Sequence, residues 1–78
     1  METILITVDK NSLPENVLDE DSKELESIEL EIHGTYTKTN GEANFEVRLV
    51  FLGQNEIDSF LDEDTLKELG RKVIEQNY

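Results

Sequence analysis

Apolar residues recur at every second position in two stretches, Ile28-Glu29-Leu30-Glu31-Ile32-His33-Gly34-Thr35-Tyr36 and Phe45-Glu46-Val47-Arg48-Leu49-Val50-Phe51. That is the period of a β-strand whose two faces meet different surroundings. Between them lies Asn40-Gly41, the dipeptide that best supplies the positive φ angles of a two-residue type I′ turn. Pairing Thr39 with Glu42 across that turn sets Tyr36 opposite Phe45, Gly34 opposite Val47, Ile32 opposite Leu49 and Leu30 opposite Phe51, all on one face. A slip of one residue scatters these pairs between faces, so turn chemistry and hydrophobic pattern point independently to the same hairpin.

The opposite face of that hairpin carries Glu29, Glu31, His33 and Thr35 on one strand and Glu46, Arg48, Val50 and Leu52 on the other, with His33 facing Arg48. Val50 and Leu52 stand out there, because a solvent face has no use for two large aliphatic side chains. The stretch from Glu2 to Val8 reads as another strand, with Ile4, Ile6 and Val8 on one side and Leu5 on the other, and Leu5 joins Val50 and Leu52 in an apolar patch. Its cover is either the connector Asp9 to Ser27, whose Leu13, Val17 and Leu18 form a short helix after Ser12 and Pro14, or a partner or second copy of the chain.

The last third has the helical period. Asn55 caps a short turn containing Ile57, Phe60 and Leu61, and Asp62 or Asp64 caps a helix running toward Gln76. Leu66, Leu69, Val73 and Ile74 form one stripe of that helix, with Gly70 beside it to permit close approach to the sheet. Acids fill the first turn, and Lys67, Arg71 and Lys72 come later, as the helix dipole prefers. The predicted architecture is a single α+β domain over residues 1–78. It has a three-stranded, mainly antiparallel sheet (2–8, 27–38, 43–52), a C-terminal helix (about 62–76) packed on one face, and a short helix within 13–24.

Charge changes the picture more than any motif does. The 78 residues include 19 Asp and Glu against 7 Lys and Arg, for a net charge of −12. Such a surface repels nucleic acid and anionic membrane and attracts basic proteins or cations. With no Cys, thiolate catalysis, thiolate metal sites and disulfides are excluded, which suits a reducing cytoplasm. No apolar run approaches the ~20 residues of a membrane span, and the first residues do not read as a signal peptide.

Candidate chemistry is sparse. His33 is the only histidine and has no second imidazole for a zinc site; it reads as a strand histidine beside Glu31. Ser12, Ser22, Ser27 and Ser59 would all depend on that one base. The four glycines are too scattered for a phosphate loop, and seven basic residues spread along the chain form no nucleic-acid patch. Leu18-Asp19-Glu20-Asp21-Ser22 resembles Leu61-Asp62-Glu63-Asp64-Thr65. This is either two acid-rich helix starts or two weak cation sites, neither with the ligand spacing of an EF-hand loop. No catalytic residue, metal ligand or cofactor site is assigned.

Protein recognition remains. If the run from Glu15 to Glu31 lies along one sheet edge, it displays Asp19, Glu20, Asp21, Glu24, Glu26, Glu29 and Glu31 as a stripe of carboxylates able to imitate a phosphate backbone. In size and charge, and in composition only, the chain resembles small acidic DNA mimics, among them phage inhibitors of restriction, repair and CRISPR nucleases. The resemblance transfers no functional residue. It implies a non-enzymatic cytoplasmic inhibitor, from a phage or mobile element, that masks the basic surface of a nucleic-acid-binding protein, with Val50 and Leu52 adding an apolar anchor and no direct contact with nucleic acid or membrane. The alternative is an accessory or homo-oligomeric module that pairs copies, as in a homodimer, through Leu5, Val50 and Leu52, with acidity serving solubility.

Overall fold

Asn40 and Gly41 take φ values of 54° and 82°, the two positive angles a type I′ turn requires. In the computed structural model, which describes residues 1–78, the chain reverses there between β2 (Ser27–Thr39) and β3 (Glu42–Leu52). Strand β1 (Glu2–Asp9) pairs antiparallel with β2, with Leu5 facing Glu31 and Thr3 facing His33. A two-residue strand, β4 (Asn55–Glu56), pairs with the end of β3, with Leu52 facing Asn55 and Phe51 facing Glu56. The sheet therefore has four strands in the order β1-β2-β3-β4, one more than the pattern predicts. The extra strand exists because Gly53, at φ 63°, turns the chain back on itself, and Asn55 joins the ladder instead of capping a helix.

The hairpin follows the predicted register from the turn as far as Gly34: Thr39 faces Glu42, Tyr36 faces Phe45 and Gly34 faces Val47. There the ladder shifts. His33 faces Leu49, Ile32 faces Val50 and Glu31 faces Phe51, which leaves Arg48 without a partner as the extra residue of a β-bulge. The predicted pairs Ile32 with Leu49, Leu30 with Phe51 and His33 with Arg48 are all overturned. Because side chains alternate along a strand, the bulge exchanges the faces of everything beyond it. Val50 enters the core at 0% exposure, Leu52 packs half-buried against the core, and Leu49 and Phe51 turn to the opposite face.

Between β1 and β2 the chain forms two 3₁₀ turns, Lys10–Ser12 and Glu15–Val17, and the single helical turn α1 (Glu20–Lys23). The predicted helix within 13–24 is thus reduced to four residues. Leu13, preceding a proline, is extended, as the proline ring demands of its neighbour, and Leu18 is extended as well. Leu13 is buried, and Val17 and Leu18 pack, in the same cluster as Val50 and Leu52, whereas Leu5, the third residue of the predicted patch, is left uncovered by the connector, 55% exposed on the other face.

Helix α2 (Glu63–Asn77) lies across that face. It buries Leu69, Gly70 and Val73, with Leu66 and Ile74 at the margin, which is the predicted stripe. A Cβ on Gly70 would stand 2.5 Å from the carbonyl oxygen of Phe45, so glycine sets how closely helix and sheet approach. Ile57 and Leu61 complete the core, whereas Phe60, expected with them, is 60% exposed.

The two similar acidic segments do the same local work. Asp19 accepts a hydrogen bond from Ser22 N at 2.7 Å, and Asp62 accepts one from Thr65 N at 2.8 Å, each capping a helix start. Hydrogen bonds from the Thr65 hydroxyl and N–H hold Asp62 below the usual carboxylate value of 3.8, and those from Ser22 do the same for Asp19. A carboxylate whose value is depressed on folding contributes stability that is full above its unfolded value and is lost as the pH falls through the folded one. Asp62→Ala is accordingly expected to lower the melting temperature at neutral pH. The gap from wild type should be full above the usual carboxylate value of 3.8 and narrow as the pH falls below it, as thermal melts across an acid series would show.

Candidate protein-binding face

Helix α2 and the connector occupy one face of the sheet; the other face carries no helix. Alternation assigns it Thr3, Leu5 and Thr7 from β1, Glu29, Glu31, His33 and Thr35 from β2, Leu49 and Phe51 from β3 beyond the bulge, and Glu56 from β4. Registered partners lie side by side on a common face, so one row crosses all four strands as Leu5, Glu31, Phe51 and Glu56. The adjacent row reads Thr3, His33, Leu49. Leu5 is 55% exposed, Leu49 and Phe51 are half-buried, and Glu29 and Glu56 are exposed.

His33 organises the centre of this face. Its Nε2 lies 2.7 Å from Glu31 Oε2 and its Nδ1 3.4 Å from Thr3 Oγ1. A carboxylate oxygen accepts, so Nε2 donates to Glu31, and the Thr3 hydroxyl, which can donate or accept, meets Nδ1 on the other side of the ring. The ring tilts against Phe51, with centroids 5.2 Å apart. Hydroxyl, imidazole and carboxylate thus adjoin one another across β1 and β2 on the helix-free face. The contacts fix the Glu31 carboxylate and the Phe51 ring in place. Arg48, displaced by the bulge, pairs with Glu46 at 3.0 Å, so the basic side chain nearest this face is already engaged by a carboxylate of its own strand.

The predicted stripe of carboxylates divides into two groups. Glu29 and Glu31 stand on the open face. Asp19 caps α1, Glu20 and Asp21 lie in its first turn, Glu24 closes it, and the carbonyl of Glu26 accepts from Lys10 N at 3.3 Å, all within the connector at one end of the sheet. Nor do Glu29 and Glu31 run along a sheet edge, because β2 lies between β1 and β3. Val50 and Leu52 leave the candidate site altogether, since the bulge places them on the core side. Leu49, Phe51 and Glu56 take their place, and the pattern missed all three. The signal available was Leu49-Val50-Phe51-Leu52, four apolar residues in succession, which alternation cannot assign to faces.

No group of three or more histidine and carboxylate side chains is placed to hold a metal ion, and no helix is long and apolar enough to cross a membrane. Compared with known proteins, the chain matches no family model, no curated protein and no solved structure.

Proposed function

We propose that the protein is a non-enzymatic, acidic protein-binding regulator that covers the basic, nucleic-acid-binding surface of a partner. The observation that carries this reading is the helix-free sheet face, with Glu29, Glu31 and Glu56 set around half-exposed Phe51, Leu49 and Leu5, on a chain of net charge −12. Carboxylates two residues apart on one strand are separated by roughly 6.7 Å, and neighbouring strands by about 4.8 Å. The face is therefore a fixed two-dimensional array of negative charge in which apolar groups fill the gaps. Lysine and arginine side chains that otherwise contact phosphate meet carboxylates there, and the aromatic ring supplies the desolvated centre that makes such a contact tight. A cytoplasmic inhibitor from a phage or mobile element, of the kind that blocks restriction or CRISPR nucleases, fits this description.

The alternative patch of Leu5, Val50 and Leu52 for pairing copies does not form, because two of its three members lie on the core side. The test uses the tagged protein to capture partners from host lysate, washed at low and then high salt. A basic DNA- or RNA-handling protein released by salt is the expected result, since exposed ion pairs are screened. Glu29→Lys with Glu31→Lys should abolish its capture. Undiminished capture by the folded double variant would show that this face is not the site.

A further inference from the structure

Strand β1 is last in the sheet order, and eight residues long without a bulge, which makes its outer side the most regular hydrogen-bonding edge of the molecule. The corresponding edge of β3 is interrupted by Arg48 and covered beyond it by β4, by Ile57 N donating to Val50 O at 2.8 Å and by Asp58 Oδ1 accepting from Val50 N at 3.2 Å. The edge of β1 is covered by the last residues of α2 instead. Thr7 N–H donates to Gln76 Oε1 at 2.9 Å, and Gln76 Nε2 donates to Thr7 O at 2.7 Å, so one side-chain amide makes both bonds that a facing residue of an antiparallel neighbour would make. Asn77 Nδ2 reaches Leu5 O at 3.4 Å, two residues along and therefore the next outward carbonyl. The Tyr78 hydroxyl donates to Glu2 Oε1 at 2.8 Å while its ring stacks on Tyr36 at 4.2 Å.

From these contacts we infer that Gln76, Asn77 and Tyr78 form a latch that closes the β1 edge, and that opening it makes the edge a joining site for β1 of a second copy. Unpaired edges invite strand addition unless they are blocked, and here the block is made of side chains that can swing away without unfolding a strand. The second copy is the occupant that fits. An antiparallel β1–β1 pair about a two-fold axis at Leu5 sets Leu5 against its own counterpart and Thr3 against Thr7, pairs that stabilise adjacent strands. No charged residue occurs from Thr3 to Val8, and Glu2 faces Val8 across the joint rather than another acid. A basic strand from elsewhere finds no carboxylate at those positions. Two copies at −12 each repel, so joining strengthens as salt screens them. Capture of a basic partner has the opposite salt dependence, so the two readings can fail separately.

The test is Gln76→Ala, Asn77→Ala and Tyr78→Ala combined, followed by sedimentation over a concentration series in low and in 0.5 M salt. The wild type should remain monomeric, and the variant should dimerise, more readily in salt. Adding Thr7→Pro should restore the monomer, since it removes a donor that points outward and leaves the β1–β2 ladder intact. A dimeric wild type, a folded variant that stays monomeric, or a dimer indifferent to Thr7→Pro would each overturn the proposal. Should the triple variant fail to fold, Gln76→Ala alone decides through hydrogen exchange. The Thr7 amide should exchange roughly tenfold faster on losing its one acceptor, and unchanged exchange would overturn the latch.

Discussion

Val50→Lys is expected to unfold the protein, while Leu49→Lys, one residue away, is expected to leave it folded. Val50 is fully buried and faces the equally buried Ile32. Its N–H and C=O are bonded to Asp58 and Ile57, so the strand cannot rotate to bring a lysine out to water. An unpaired ammonium there, together with the lost aliphatic packing, costs about 5 kcal/mol or more. A chain of this length has about 4–12 kcal/mol to lose. Leu49 lies on the open face, where a lysine can lay its stem along the sheet and keep its charge wet, at about 1 kcal/mol or less. Denaturant melts followed by far-UV circular dichroism measure both. The comparison is also a direct test of the bulge: a regular ladder buries Leu49 and exposes Val50, and would reverse the two results.

Gly34→Ala should destabilise by about 2–4 kcal/mol. A Cβ built at Gly34 runs into the main-chain carbonyl oxygen of Glu46 and comes to 2.6 Å from Phe45 Cε1. The aromatic ring could turn aside, but the carbonyl belongs to the ladder immediately before the bulge and cannot move without parting the strands. Gly41→Ala provides the control. Nothing lies within 4 Å of its Cβ, and only its left-handed φ of 82° opposes the methyl group, at about 1–2 kcal/mol. Melting temperatures of the two variants should therefore fall in that order, and equal melting of Gly34→Ala and wild type would show that the strands separate there freely.

The parts of the fold legible in the sequence are those fixed by neighbouring residues. Asn40-Gly41 set the turn and the pairing back to Gly34; Asp62 and Asp64 bracket the start of α2, and Asp62 is the one that caps it; Leu69, Val73 and Gly70 set its buried side. Alternation failed at the point where β3 becomes apolar at four consecutive positions. Between Val47 and Val50 two residues have to be fitted on one face, and only the finished core, in which Val50 meets Ile32 and Ile57, decides that Arg48 is the one to bulge. The candidate site inherited that error directly. Glu29 and Glu31 lie on the face that alternation assigns because β2 is regular throughout, whereas the bulge puts Leu49 and Phe51 where alternation puts Val50 and Leu52. Glu56 was out of reach because a strand of two residues has no period to detect.

The contrast between the hairpin and the β1 edge has a consequence for how the chain assembles. β2 and β3 meet across a two-residue turn, whereas the bonds between Thr7 and Gln76 span 69 residues. Closing a short loop is fast and closing a long one loses more chain entropy, so zipping is expected to begin at Asn40-Gly41 and the docking of the α2 terminus on β1 to come at the end. Thermal opening runs through the same events backwards. A chain that loses only that last contact keeps its hairpin and bares its first strand, and that form is expected to be the one most exposed to mispairing.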